Sequence, residues 1–330
     1  MSATPRARRP HWLAGLLCST ALIALAPAAA QAQDGYPDKP VKLLTNFPAG
    51  GPLDILGRAL AIPLQAALGQ PFVVDNRPGA GGNIGADLVA KAPADGYTVL
   101  LSIDTPFTIN PHVYPSMPFA QKDLKPLMIF SSSGLAFGVN PSVGAKTLPA
   151  FVEMARKQDM TFSSAGNGSP GHLAAEIFGT ATGAKILHVP YKGNAPAVTA
   201  LLSGEVQAGI LATPGLLPHI QAGKVLPLAV TGRQRAPLLP EVATVGELGL
   251  PKMEFEVLYL TMVPAATPAP VVEKLQKALA AALATPELKQ RLASLDMVAL
   301  GETGEAAARH LADSSRRYGE IVKATGMKAE

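Results

Sequence analysis

From residue 40 onward, short apolar or β-branched runs alternate with segments of helical periodicity, and glycine, proline or asparagine stands at most boundaries. Val41–Asn46 is one such run, and it predicts a strand. The helical segment that follows it carries its leucines on one face, at Leu53, Leu56, Leu60, Leu64 and Leu68. This alternation is typical of βα units and a mainly parallel sheet, so we expect an α/β fold.

The length of the chain favours two lobes. It has 330 residues, of which 48% are apolar, and single cores stop growing near about 250–300 residues. No stretch reads as one clean linker, so we expect the chain to leave the first lobe near Ile129–Leu135 and to return near Leu258–Pro264. This predicts lobe 1 at 33–133 and 261–330, lobe 2 at 134–260, and a ligand cleft between them.

The first 32 residues have the pattern of a secretory signal peptide. Arg6, Arg8 and Arg9 precede the apolar run Trp12–Ala26, and Ala30-Gln31-Ala32 fits the small-x-small cleavage rule. A membrane anchor is the alternative, but the run is shorter than the roughly 20 residues that span a bilayer. We therefore expect export to the periplasm.

Loss of this leader changes the charge and the redox chemistry of the chain. It removes three arginines and no acid, so the net charge falls from +4 to +1, and it removes the single cysteine, Cys18. No basic stripe remains to bind nucleic acid, and no disulfide is possible. We expect a monomer without a nucleic-acid partner.

Three glycine-rich turns are candidate anion sites: Pro48-Ala49-Gly50-Gly51, Gly79–Asn83 and Ser164–His172. Free backbone N–H groups and the positive end of the helix dipole hold anions at such strand-to-helix turns. In the third turn, Ser164, Ser169 and His172 add side-chain donors. Each of the three turns, taken alone, is equally explained as a plain tight turn.

The third turn also has two other interpretations. Gly166-x-Gly168-x-x-Gly171 fits the dinucleotide pattern, but the next strand ends in His188–Lys192 and lacks the acid that would hold a ribose. The stretch around Ser169 nearly fits a nucleophile elbow, so a secreted serine hydrolase using Ser169 and His172 stays open as the alternative. The histidines show no ligand spacing, and neither a metal nor a cofactor is expected.

Taken in order, these turns resemble the Bug family of periplasmic solute receptors, which serve tripartite tricarboxylate transporters. The matching stretches are Tyr36-Pro37-x-Lys39-Pro40, Phe47–Gly51 followed by Asp54, Asp75–Gly85, Asp95–Thr98, Ile109-Asn110-Pro111, Ser164–Ser169, His188–Gly193 and Pro218-His219-Ile220. They cover essentially the whole mature chain.

The resemblance implies a two-lobed periplasmic binding protein of the type II-like class, in which helices flank the sheet of each lobe. It further implies that the turns at Ala49–Gly51 and Ser164–Ser169 grip one carboxylate, and that membrane transporter subunits are the partner. A receptor that feeds a signalling protein is the alternative. The residues expected to contact the ligand are Phe47, Ala49, Gly50, Gly51, Asp54, Asp104, Thr105, Ser164, Gly166, Asn167, Gly168, Ser169, His172, Lys192 and Leu211.

Three positions in that set have competing explanations. Many family members carry an Asp where this chain has Leu211 and Ala212, and its absence disfavours amino-acid ligands because a buried ammonium needs a partner. Asp104 either accepts a hydrogen bond from the ligand or caps the helix that starts at Pro106. Lys192 either contacts the ligand or is solvated.

Overall fold

The computed structural model of the protein describes Met1, Ser2 and residues 35–329. The chain falls into two compact units, Met1–Tyr36 and Pro37–Glu330, and every helix and strand named below belongs to the second. Residues 3–32 of the predicted signal peptide lie outside the described residues. None of the described helices combines the length and apolar character needed to cross a membrane.

The first part of the chain forms most of one sheet. Its elements are β1 (Val41–Thr45), α1 (Pro52–Leu68), β2 (Phe72–Asn76), α2 (Asn83–Ala90), β3 (Thr98–Ile103), α3 (Thr105–Thr108), α4 (Asn110–Val113) and β4 (Leu124–Ser133). β1 pairs in parallel with both β2 and β3. The predicted leucine stripe of α1 is buried at Leu53, Leu56, Leu60 and Leu64, which fixes this helix on the sheet.

The middle of the chain forms a second sheet. Its elements are β5 (Leu135–Val139), α5 (Leu148–Lys157), β6 (Met160–Ser164), α6 (Pro170–Thr182), β7 (Ile186–Pro190), α7 (Asn194–Ser203), β8 (Ala208–Ala212), α8 (Thr213–Gln221) and β9 (Leu226–Val230). The strand order is β7-β6-β8-β5-β9. Phe137 lies at the centre of this core, with edge-on contacts to Phe151, Phe162 and Phe178.

The end of the chain returns to the first sheet. Its elements are β10 (Val257–Pro264), α9 (Ala269–Ala284), α10 (Pro286–Ser294), β11 (Val298–Thr303) and α11 (Gly304–Thr325), and the first sheet has the order β11-β4-β10-β3-β1-β2. The two-lobed α/β fold is therefore confirmed, but the sheets are mixed and not mainly parallel. The reason is that the strands carrying the chain between sheets, β4, β5 and β10, pair antiparallel with their neighbours.

The chain passes from the first sheet to the second at Gly134 and returns through residues 231–256. Hydrogen bonds join the two passages. The Thr231 hydroxyl donates to the carbonyl of Phe255 at 2.9 Å and accepts from the N–H of Leu135 at 2.9 Å. The predicted boundary at 260 divides β10, all of which pairs in the first sheet, so we propose that lobe 2 ends before Val257.

Candidate functional site

Four helices begin at the wall of one cavity, which we call the apolar cavity. One helix, α1, comes from the first lobe and brings Gly51 and Pro52 to the wall. The other three come from the second lobe, where the starts of α6, α7 and α8 bring Ser169, Pro170, Gly171, Asn194, Ala195 and Ala212. The first N–H groups of a helix have no partner within it, and the helix dipole is positive there. At the start of α8 the N–H groups of Ala212 and Thr213 are already bonded, to Asn194 Oδ1 and to the carbonyl of Gly134, so the anion-binding amides at this space come from α1 in the first lobe and from α6 and α7 in the second.

In the first lobe, Phe47, Pro48, Ala49 and Gly51 line the apolar cavity. Gly50 does not: it adopts φ 79°, and its N–H donates to Asp54 Oδ2 at 3.0 Å. Burial opposes ionisation of Asp54, but hydrogen bonds from Arg58 and Gly50 hold its pKa below the usual value. Gly50 and Asp54 therefore shape the turn, and contact of either residue with the ligand stays a prediction.

In the second lobe, Ser169 lies on the wall and also caps α6, because its Oγ accepts from the N–H of His172 at 3.3 Å. Ser164 is fully buried, and its Oγ lies 2.6 Å from His188 Nε2 and accepts from the N–H of Gly166. The turn therefore uses the Ser164 hydroxyl internally. Ser164 therefore supports the turn, and its contact with the ligand stays a prediction.

His172 and Gly168 support the same turn through hydrogen bonds and through the stacking of the His172 ring. The Gly168 N–H donates to His172 Nδ1 at 3.3 Å, and His172 Nε2 lies 3.5 Å from Glu176. The ring stacks on His188 with centroids 4.0 Å apart. Burial, together with the neighbouring His172, lowers the pKa of His188 to about 4, which keeps that ring neutral. Neither Gly168 nor His172 lines the apolar cavity, and direct contact of either residue with the ligand stays a prediction.

This geometry does not favour the hydrolase alternative. Ser169 Oγ meets the backbone N–H of His172 and not its imidazole, whose Nδ1 is already taken by Gly168. A serine nucleophile needs a base within hydrogen-bond reach of its hydroxyl. Among the described residues, no group of three His, Cys, Asp or Glu side chains is placed to hold a metal ion.

Large, mainly apolar side chains make up another part of the lining of the apolar cavity, which we call its apolar face. Leu211, predicted from the sequence, belongs to it, together with residues that were not predicted: Ile103, Leu135, Ile210, Val257 and Tyr259. Leu135 and Val257 are the first residues of β5 and β10, the strands next to the two passages between lobes. The predicted passages were the one sequence signal that pointed to these positions.

A second space, the polar cavity, adjoins the first. Phe47, Pro48, Ala165 and Ser169 line both. Three predicted residues of the second lobe, Gly166, Asn167 and Lys192, lie here, as does Thr105 of the first lobe. The turn at Gly79–Gly82 forms part of the wall. It packs closely, since a Cβ on Gly82 would lie 2.7 Å from Asn46 Nδ2.

Asp104 is buried in the first lobe, and the explanation that it caps a helix was wrong, whereas its contact with the ligand stays a prediction. It makes no side-chain cap to α3, and it lines neither cavity. Its carboxylate accepts from the N–H of Leu258 at 3.2 Å and from the Thr108 hydroxyl at 3.0 Å. It thus joins β3 to β10 inside the first lobe. Burial raises its pKa to about 6.

This chain is similar to known proteins in both sequence and structure. Residues 56–327 match the profile of the tripartite tricarboxylate transporter family receptor. Protein BugT of Bordetella pertussis is 36% identical over 95% of this chain and 96% of its own length. The solved structure of R. palustris Rpa4515 with adipate has a TM-score of 0.86 and 32% identity, and covers 89% of this chain and 99% of that one. The periplasmic binding protein BugD has a TM-score of 0.85 and 32% identity, over 89% and 100%.

Proposed function

This chain belongs to the tripartite tricarboxylate transporter receptor family, and we propose that it captures a small organic carboxylate between its two lobes and delivers it to membrane transporter subunits. The family is one of solute receptors, and a relative of known structure was solved with adipate. The observation that carries the proposal is the convergence of α1 with α6, α7 and α8 on one cavity.

A carboxylate is the ligand that suits these helix starts. Unpaired amide N–H groups donate charge-assisted hydrogen bonds, worth about 1.5–3 kcal/mol each, to an ionised oxygen. The wall beside them lacks the carboxylates that would repel such a ligand, because Asp54 and Asp104 are turned into the lobe. We propose that Gly51 and Ser169 lie at the carboxylate, one from each lobe.

The remaining predicted residues divide between the two cavities in this proposal. Phe47, Ala49 and Leu211 contact the ligand in the apolar cavity, whereas Thr105, Gly166, Asn167 and Lys192 contact solvent or a polar substituent in the other. The two cavities share Ser169, which supports a carboxylate position at their junction.

Export and delivery complete the proposal. The arginine-rich start and apolar run of the leader support a periplasmic location, and we propose that the mature chain acts as a monomer. A ligand that contacts both lobes stabilises the closed arrangement of the lobes. A membrane partner that binds the closed form better than the open form therefore binds the liganded receptor preferentially.

Titration calorimetry on ligand-free mature protein tests the capture step. A panel of short mono-, di- and tricarboxylates should include at least one tight ligand, and matched neutral amides of the same skeletons should not bind. A panel without any binder among the carboxylates would refute the proposed function. Pull-down of membrane proteins with and without that ligand separates a transporter partner from a signalling one.

A further inference from the structure

Two of the helices that start at the apolar cavity begin with a residue that cannot donate a backbone hydrogen bond. Pro52 opens α1 and Pro170 opens α6, and proline has no backbone N–H. The third, α7, begins with Asn194 and Ala195, which both carry an N–H and both lie on the cavity wall. The first N–H groups of a helix have no partner within it. Of these three starts, that of α7 therefore keeps a donor at both of its first two positions.

The side chain of Asn194 adds another donor, and its orientation is fixed by chemistry. Asn194 Oδ1 accepts from the N–H of Ala212, at the start of α8, at 3.0 Å. Since a backbone N–H can only donate, this side of the amide must be the oxygen and the other side must be the nitrogen. Within the described part of the chain, Asn194 Nδ2 donates to no group. The amide therefore presents an oriented donor that the described protein groups leave unused.

This donor lies where the two lobes meet. A Cβ on Gly215 of α8 would lie 2.1 Å from Asn194 Nδ2 and 3.9 Å from Pro52 Cγ. The nitrogen is therefore close to the first residue of α1, which belongs to the other lobe. Gly215 also leaves the room that the amide occupies, because a side chain at this position would displace it.

We infer that Asn194 is a specificity-determining residue of the receptor, and that its Nδ2 donates a hydrogen bond to a carboxylate oxygen of the ligand. This assignment rests on the proposed function. Ser169, at the start of α6, offers a second side-chain donor, because its Oγ accepts from the N–H of His172 and its hydroxyl proton stays available. An ionised carboxylate has acceptors alone and can satisfy both groups, whereas the neutral amide of the same skeleton brings N–H donors towards them.

Asn194→Asp tests this assignment with little change of shape. The variant keeps an oxygen for the N–H of Ala212 and replaces the unused donor by a second oxygen. The probes are hexanoate, succinate, adipate and citrate, and calorimetry at pH 8 on the ligand-free mature protein gives their dissociation constants. For every acid that binds the natural chain, the constant should rise about a hundredfold in the variant, because a donor is lost and a like charge is added.

The pH profile separates a contact with the ligand from a structural role. A carboxyl group donates a hydrogen bond when it is protonated, so the ratio of the two dissociation constants should be smaller at pH 5 than at pH 8. Comparing both chains at each pH removes the effect of protonating the probe itself. Unchanged affinity at pH 8 would overturn the inference, and so would a loss of equal size at both pH values.

Gln207→Glu is the matched control for Asn194→Asp. Gln207 belongs to the same lobe, its Oε1 accepts from the N–H of Thr161 at 2.8 Å, and it lines neither cavity. The substitution therefore makes the same change from amide to carboxylate beside a backbone N–H, away from both cavities. Its dissociation constants should stay within about twofold of the natural values, because solvent and salt screen a distant charge. Equal losses of affinity in the two variants would attribute the effect to the added charge and would contradict a contact of Asn194.

Gly215→Ala gives an independent measurement, because it moves the amide without removing it. The added methyl group would lie 2.1 Å from Asn194 Nδ2, which is too close for the amide to keep its place, whereas alanine favours a helix more than glycine does. Gly215→Ala should therefore weaken carboxylate binding about tenfold while thermal unfolding shows an intact fold. Added to Asn194→Ala, it should cause no further loss of affinity. A further loss in the double variant would contradict the inference.

Failure of the inference is distinguishable from failure of the proposed function. If at least one of the four acids binds the natural chain and Asn194→Asp equally well, the receptor function stands and the role assigned to Asn194 is wrong. If no acid of the panel binds the natural chain, the proposed function itself fails.

Discussion

Ser169 has two tasks that a single substitution can separate. It caps α6 through its Oγ and lies on the wall shared by both cavities. Ser169→Ala should lower the free energy of unfolding by about 0.5–2 kcal/mol, the usual cost of a lost cap. It should also weaken carboxylate binding about tenfold or more, because a hydrogen bond to a charged oxygen is worth about 1.5–3 kcal/mol. Denaturant unfolding and calorimetry measure the two effects.

Thr147→Ala is the matched control for Ser169. Thr147 caps α5 in the same lobe with the same geometry, Oγ1 accepting from the N–H of Ala150 at 3.3 Å, and it lines neither cavity. The control should lose similar stability and keep its affinity. If both variants lost affinity equally, the effect of Ser169 would belong to lobe stability and not to ligand contact.

The buried carboxyl group of Asp104 makes the free energy of unfolding depend on pH. Burial raises its pKa from 3.8 to about 6 in the folded chain. The folded chain therefore holds this proton where the unfolded chain has released it, and the free energy of unfolding falls as the pH rises through that interval. Asp104→Asn removes the charge, and its amide can still accept from Leu258 and donate to Thr108, whose own hydroxyl then donates to the Asp104 carbonyl.

Asp104→Asn should consequently be more stable than the natural chain at neutral pH, and this gain should shrink as the pH falls towards about 4, where Asp104 is protonated. Thermal unfolding across this range measures it. Asp159→Asn, at an exposed position, removes the same charge from the surface and should show a much weaker pH dependence. Parallel behaviour of the two variants would reject the role assigned to the buried carboxylate.

The helices and strands show how much of the fold can be predicted from the sequence alone. Gly134 precedes β5 and Thr147 caps α5, so local features of the sequence predict where these two elements begin. β4 and β11 depend on pairing with residues distant in the chain. β4 contains Pro126, which is tolerated where the register with β10 shifts beside Met262. β11 is exposed over most of its length and is held in place by pairing with β4.

The candidate site also contains some residues that the local sequence predicts and others that depend on distant parts of the chain. The turns at 48–51 and 164–169 could be found from glycine, serine and the strand-to-helix transition, since these are local features. The position of Asp104 could not, because it depends on Leu258, 154 residues further along the chain. Ile103 and Tyr259 were missed for the same reason: β3 and β10 become neighbours through the fold alone.

The start of α1 yields a prediction at the scale of one element. Gly51 has φ −81° and ψ 170°, a conformation open to any residue, and a Cβ there would lie 3.5 Å from the carbonyl of Pro48. Gly51→Val should therefore fold normally while its side chain occupies the apolar cavity. Calorimetry should show loss of carboxylate binding, with a smaller loss in Gly51→Ala. Unchanged affinity in Gly51→Val would remove this turn from the site.

The whole molecule matters because neither lobe holds the complete site. Gly134 carries the chain from one sheet to the other, and its carbonyl accepts from both the N–H and the hydroxyl of Thr213 at the start of α8. Thr231 binds the outgoing and returning passages together. The residues that join the lobes therefore lie next to the apolar face, and we expect closure of the lobes to shape the cavity at the same time.

Hydrogen exchange tests this coupling between the lobes. A carboxylate held by the starts of α1 and α6 should slow exchange at residues 49–54 in one lobe and at 165–171 in the other, because it occupies or shields their first amides. At a ligand concentration a hundredfold above the dissociation constant, the bound form gains about 2.7 kcal/mol, enough to slow exchange measurably. The surface helix α5, which lies in the same lobe as α6 and contributes nothing to either cavity, is the internal control. Protection confined to one lobe would mean that the ligand does not join the two, and the receptor would then have to signal its occupancy without closing.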